Sequence, residues 1–171
     1  LSRLFDLAQR KSVPKTTEDF FREHKLNVFV WPEAWRDART LPDLNWAKVE
    51  FGQDTIPQVP ETRGVYAFRI CVRGSIVPPH GVIVYFGETS RTLRKRYKEY
   101  VRDCMRGAKR PKFEHLFTLW ADDLDFFFAP IEDGTIDLKE IEKELNDAVI
   151  PHCVTADFSA EIRRIVPVLR G

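Results

Sequence analysis

The chain has no apolar run approaching the ~18 consecutive residues of a membrane span, and its first twenty residues lack the basic, apolar, small-residue order of a secretory signal. Both absences lead to the expectation of a soluble, intracellular protein without a membrane partner, cytoplasmic if prokaryotic. Cysteine is scarce. Cys71, Cys104 and Cys153 are an odd number with no CxxC and no Cys/His pairing at metal-finger spacing, so reduced thiols are expected. His24, His80 and His115 show no ligand spacing and read as surface or loop residues. There is no low-complexity stretch and no internal repeat. What remains is a chain of 171 residues, 43% apolar and 31% charged, a balance that closes one core of ordinary size and excludes a disordered chain.

The net charge of +1 hides a segregation. Residues 91 to 112 hold ten basic groups against Glu99 and Asp103 alone, a local charge of +8, so everything else sums to −7. Such a division is the footprint of a polyanion-binding face, because each Lys or Arg placed on a phosphate releases counterions. A solvated helix face followed by a basic loop is the competing reading.

Residues 1 to 59 read as an N-terminal extension packing on the core. Thr16 and Asp19 suit a capping box for a short helix from Thr17 to His24, and Leu26 to Trp31 is apolar and β-branched enough for a strand. Trp31, Trp35, Trp46 and Phe51 read as packing anchors rather than a base-stacking platform. From Gly64 to Val72 and from Val82 to Phe86 the chain is rich in strand formers, joined by a loop carrying Gly74, Pro78, Pro79 and Gly81. From Thr92 to Arg106 the period becomes helical, with Leu93, Tyr97, Tyr100, Val101 and Cys104 on one stripe, and Gly107 and Pro111 stop it. Asp125 to Ala129 reads as a third strand. A second helix from Thr135 to Val149 carries Leu138, Ile141, Leu145, Ala148 and Val149 as its stripe, ended by Pro151. The expected fold is α+β, in the order β-β-α-β-α, with a small three-stranded antiparallel or mixed sheet flanked by helices over residues 60 to 155. A basic C-terminal segment, 156 to 171, carries Arg163, Arg164 and Arg170.

Phosphodiester hydrolysis needs a base near an attacking water, a cation on the non-bridging oxygens, positive charge for the pentacovalent state, and positioning. Two side chains stand out on helical geometry. Arg96 lies about 80° from the middle of the first apolar stripe and Glu142 about 75° from the middle of the second, at 100° per residue. A long charged side chain at such an edge can be held by packing while its head reaches a cleft. Tyr66 and Tyr85 sit inside the first two strands, where half-buried sheet residues are also ordinary. Gly87 permits close approach of a backbone or a phosphate.

The combined order resembles the GIY-YIG nuclease superfamily. Gly64-Val65-Tyr66 resembles its GIY element and Tyr85-Phe86-Gly87 its YIG element. The stretch from Glu88 to Arg96 resembles the family's lead into a helical arginine, and Ile141-Glu142, nine residues before Pro151, resembles its carboxylate helix and terminal proline. The likeness spans about 90 residues and five spaced elements. It implies a GIY-YIG-like fold, with Tyr66 taking part in activating water, Tyr85 holding the water and scissile phosphate, Arg96 stabilising transition-state charge and Glu142 binding one Mg²⁺ or Mn²⁺. A tyrosine can serve as base only where positive charge lowers its pKa.

Tyr100 occupies the place where such nucleases often have a His or Tyr, but it also lies inside the apolar stripe, so a chemical role and core packing both stand. Glu144 flanks the other side of Glu142's stripe, and family spacing alone prefers Glu142. Two departures matter. Val154 stands where the family commonly has Asn, with Asn146 or His152 as substitutes by guess, and Glu88 places an acid beside the phosphate site. The expectation is therefore a divalent-metal-dependent endonuclease hydrolysing DNA phosphodiesters, with Gly87, Arg91, Arg94, Lys95, Lys98 and Arg102 following the nucleic acid. A non-catalytic nucleic-acid-binding module on the same scaffold is the alternative. A structural domain with a chance motif match is the third reading. The N-terminal extension is the candidate for homodimer or protein-partner contacts.

Overall fold

Three segments rich in β-branched and aromatic residues, β2 (Gly64–Val72), β3 (His80–Thr89) and β4 (Leu124–Pro130), pair with a short strand, β1 (Ala47–Glu50), into one open antiparallel sheet in the spatial order β1-β4-β2-β3. The computed structural model describes residues 25–29, 31–37, 43–72, 78 and 80–170. The helices are α1 (Pro32–Asp37), α2 (Leu93–Arg106), α3 (Pro111–Trp120), α4 (Leu138–Val149) and α5 (Ala160–Arg170). The protein is thus α+β, with four strands where three were expected. The added strand, β1, has a single buried residue, Val49, and is stabilised by pairing across to β4, with Val49 opposite Phe126. Nothing in four residues of sequence announces such an edge strand.

Three further expectations change. Leu26 to Trp31 forms no strand among its described residues; Leu26 and Phe29 instead pack irregularly against the core, and the Asn27 N–H donates to His152 Nδ1 at 3.3 Å. The stretch after Gly107 is not a basic loop. Pro111 opens α3 rather than ending a helix, because a first-turn residue needs no N–H partner, and Phe113, Leu116 and Phe117 form its buried stripe. The later helix begins at Leu138 rather than Thr135: Asp137 caps it by accepting from the Lys139 N–H, while Thr135 is held in a turn by Asp133. The expected helix from Thr17 to His24, and Gly74 and Pro79 of the expected loop, lie outside the described residues.

The strand pleat divides the core. Tyr66, Phe68, Ile70, Phe126 and Phe128 pack with Leu93, Tyr97, Tyr100 and Val101 of α2 and with the α3 stripe, while Val65, Ala129 and Ile131 pack with Leu138 and Ile141 of α4. Phe51 and Val59 belong to the first cluster, as do Phe158, Ile162 and Val166, so both the stretch before residue 60 and α5 are packed into the same core. Each such side chain is worth roughly 1.5–3 kcal/mol when fully buried. Asp125, wholly buried on β4, accepts from Arg69 Nη2 at 2.5 Å with Lys48 Nζ at 3.6 Å, which ties β1, β2 and β4 together by charge.

The start of α2 is held from outside as well as capped within. Thr92 Oγ1 accepts from the Lys95 N–H, and the Leu93 and Arg94 N–H groups donate to the Thr62 and Pro60 carbonyls. After α4 the chain reverses at Ile150, whose φ of 49° is strained for a β-branched residue, and the Cys153 N–H then donates to the Val84 carbonyl. The three cysteines are unpaired. No helix among the described residues is long and apolar enough to cross a membrane.

Candidate functional site

Where α2 passes over β2 and β3, residues from three elements meet through their hydroxyls and guanidinium groups. Arg96 Nε donates to Tyr66 Oη at 3.0 Å, Arg96 Nη2 to Tyr100 Oη at 3.1 Å, and the two phenolic oxygens are 3.0 Å apart. Tyr85 lies beside them, its ring centroid 6.1 Å from that of Tyr66 and 6.5 Å from that of Tyr100. Sequence spacing alone placed Arg96 at a stripe edge; the structure keeps its side chain one quarter exposed, with its head on the buried tyrosines. Tyr100 is both a core residue and part of this polar cluster, so the two readings of it are not exclusive.

Gly87 stands directly opposite Tyr66 in the β2–β3 register. A Cβ there would lie 2.5 Å from Tyr66 Cζ and Oη and 2.8 Å from Tyr85 Cε1, so the group that approaches this glycine is the Tyr66 phenol itself.

Glu142, half-buried on α4, acts electrostatically on Tyr85 and is acted on by Arg96 and Glu88. Burial, then the charges of Asp157 and Glu88, push its carboxyl up to about 7, against the Glu88 backbone N–H and Arg96, which favour the ionised form. Glu144, on the same helix, acts on Lys143. Burial, then the neighbouring phenols Tyr100 and Tyr85, hold the Tyr66 hydroxyl well above its ordinary value despite Arg96, and burial raises Tyr85 as well. Both phenols are therefore neutral at ordinary pH.

Two residues that sequence reasoning left out belong here. Glu99 accepts from Arg96 Nη1 at 3.0 Å and from both terminal nitrogens of Arg91 at 2.6 and 2.9 Å; hydrogen bonding from Arg91, together with Arg96, holds it down to about 2 although partial burial opposes this. Its i,i+3 spacing from Arg96 was a legible signal. Arg110, the residue before α3, donates from Nη2 to Tyr100 Oη at 3.2 Å and lies over the Phe113 ring at 4.0 Å. No local signal could have found that contact, which depends on how α3 folds back on α2.

The expected nucleic-acid set divides. Lys95, Lys98 and Arg102 are exposed along one outer face of α2. Arg91 is engaged by Glu99, and Arg94 by Glu61 and the Val59 and Pro57 carbonyls, so these two have structural duties.

Val154 is 1% exposed within the apolar core, its carbonyl accepting from Arg170 Nη1 at 2.7 Å. Asn146 is wholly buried and donates from Nδ2 to the Asp157 carbonyl at 3.0 Å, while its Oδ1 accepts from no described group. It holds the turn whose Asp157 charge acts on Glu142. His152 is occupied by the Asn27 N–H and, through its carbonyl, by Lys112. Val154→Asn is therefore expected to cost about 2–3 kcal/mol in urea denaturation without raising any activity, since a buried amide would enter an apolar site.

Among the described residues no three His, Cys, Asp or Glu side chains are gathered as a metal cluster. The donor chemistry still fits a hard cation: Glu142 is a carboxylate whose charge is opposed by two neighbouring acids and burial, and Mg²⁺ keeps most of its waters and needs only one or two protein carboxylates. Fold and site together define an α+β protein with a buried tyrosine pair under two guanidinium groups and a half-buried carboxylate, Glu142, on α4. No protein family, curated protein or solved structure matches this chain.

Proposed function

We propose that the chain is a divalent-metal-dependent endonuclease hydrolysing DNA phosphodiester bonds on a GIY-YIG-like scaffold. The observation that carries this reading is the meeting of Tyr66, Arg96 and Tyr100 in one hydrogen-bonded cluster, with Tyr85 packed against it and Glu142 coupled to it, although the residues come from four elements. In this reading Glu142 would hold the cation, which when bound supplies Lewis-acid polarisation of a phosphate oxygen. Arg96, already anchored by three bonds, offers fixed positive charge where charge develops. Tyr85 and Tyr66, neutral as they stand, orient water and phosphate by hydrogen bonding rather than as preformed phenolates.

The test compares wild type with Glu142→Ala and Arg96→Ala on supercoiled plasmid with Mg²⁺ or Mn²⁺. Nicking by the wild type that is lost in both variants supports the reading. Salt-sensitive binding with no cleavage favours the non-catalytic module, to which Val154 and the acid at Glu88 lend weight. Neither binding nor cleavage rejects both. In either case Lys95, Lys98 and Arg102 are the free basic face. Replacing all three by Ser is expected to lower the slope of log K against log salt by about 2–3, while Arg91→Ser and Arg94→Ser change it little.

A further inference from the structure

Tyr100 Oη has two acceptor lone pairs, and two guanidinium groups take them: Arg96 Nη2 at 3.1 Å and Arg110 Nη2 at 3.2 Å. The only remaining bond Tyr100 can make is to donate its own proton, and the oxygen 3.0 Å away is Tyr66 Oη. Tyr66 Oη then accepts from both Tyr100 and Arg96 Nε, which fills its lone pairs too. Of the two protons of the Tyr66–Tyr100 pair, that of Tyr66 is the one left uncommitted. The polarity of the whole chain of hydroxyls is thus set by the pair of arginines, and it ends on a donor.

The two guanidinium groups differ in reserve. Arg96 uses three N–H groups, on Tyr66, Tyr100 and Glu99, whereas Arg110, on the exposed rim, directs Nη2 to Tyr100, interacts with Tyr85 beside it and lies with its face on Phe113, which leaves part of its five-donor fork in reserve. An Arg with unspent donors in a fixed plane is the side chain best suited to a phosphate.

We propose that Arg110 is a phosphate-binding residue of this site and that, with Arg96, it orients the Tyr100–Tyr66 hydroxyls so that Tyr66 donates its proton to the same anion. The anion is an oxygen of a phosphate group, and its being part of a phosphodiester rests on the nuclease reading above. Tyr66 enters as a hydrogen-bond donor; no lone pair is left to take a proton from water while both arginines are in place.

The probe is inorganic phosphate, titrated into protein carrying ¹³Cζ-labelled tyrosine and followed by NMR, with signals assigned by single Tyr→Phe variants. Phosphate is expected to shift the Tyr66 and Tyr100 signals of the wild type. Tyr97, whose hydroxyl is held by Gly52 and Thr55, should stay fixed and report an intact fold. Arg110→Met should weaken phosphate about tenfold, and Arg110→Lys, which keeps charge but not the planar fork, by less. Plasmid nicking by Arg110→Met should fall by a similar factor. Phosphate shifts that are absent in the wild type, or equal in wild type and Arg110→Met, overturn the proposal. If phosphate binding depends on Arg110 while plasmid is never nicked, the anion site stands and the nuclease reading fails. Nicking that survives Arg110→Met unchanged has the opposite meaning.

Discussion

Glu142→Gln is expected to give a protein more stable than the wild type at pH 8 and at least 100-fold slower in plasmid nicking. The carboxyl of Glu142 is pushed from its ordinary value near 4.5 up to about 7 by burial and by the charges of Asp157 and Glu88. Between those two pH values the folded protein keeps a proton that the unfolded chain has released, so stability falls as pH rises through the window and the full deficit is present above it. A shift of this size corresponds to about 3 kcal/mol, and solvent screening of a partly exposed carboxylate reduces it to about 1–2 kcal/mol. Glutamine is neutral throughout and lacks the deficit. Urea denaturation in EDTA should show the variant ahead at pH 8 and level with the wild type near pH 4.5. Added Mg²⁺ or Mn²⁺ should narrow the gap at pH 8 by stabilising the wild type alone. A variant no more stable than wild type at pH 8 would mean that Glu142 carries no electrostatic strain for a cation to relieve.

Gly87→Ala is expected to damage fold and site together. Its Cβ would fall 2.5 Å from the Tyr66 ring and hydroxyl, and Tyr66 is 1% exposed, with Phe126, Tyr85 and Tyr100 rings within 5.4 to 6.1 Å. The phenol has nowhere to retreat. Overpacking of this kind costs about 2–3 kcal/mol. Whatever relief occurs moves Tyr66 Oη off its 3.0 Å bonds to Arg96 and Tyr100, and on the proposed nuclease reading a displacement near 1 Å there is expected to cost on the order of 100-fold in plasmid nicking. Gly134→Ala serves as the control, because nothing lies within 4 Å of its Cβ; its stability should change by less than about 0.5 kcal/mol. Equal behaviour of the two variants would refute the contact.

Much of the scaffold was legible because it is local. The apolar stripe read for α2, Leu93, Tyr97, Tyr100, Val101 and Cys104, is the set that is buried. The stripe of α4 is less faithful: Leu138, Ile141 and Ala148 are buried, but so is Asn146, a polar residue that periodicity assigns outward and that the Asp157 carbonyl draws in. α3 was overlooked although Phe113, Leu116 and Phe117 repeat at helical spacing, because Pro111 reads as a stop as readily as a start. α5 was hidden by Pro167 in its last turns. β1 carried no pattern at all, with one buried residue in four.

The sequence by itself determined the residue types available for chemistry and the faces of α2 and α4 on which they stand, since helical periodicity depends only on near neighbours. It could also show that the positive charge is concentrated in one segment. Tertiary structure decided which of those charges are spent. Arg91 and Arg94 are held by Glu99 and Glu61, Arg110 is brought back onto Tyr100, and Glu142 is half-buried beside the charges of Asp157 and Glu88. It also decided that the neighbour of Gly87 is a phenol from the adjoining strand. The reason is common to all of these: a hydrogen bond or a close contact is set by distances of a few ångströms between elements far apart in sequence, and strand register and helix docking set those distances.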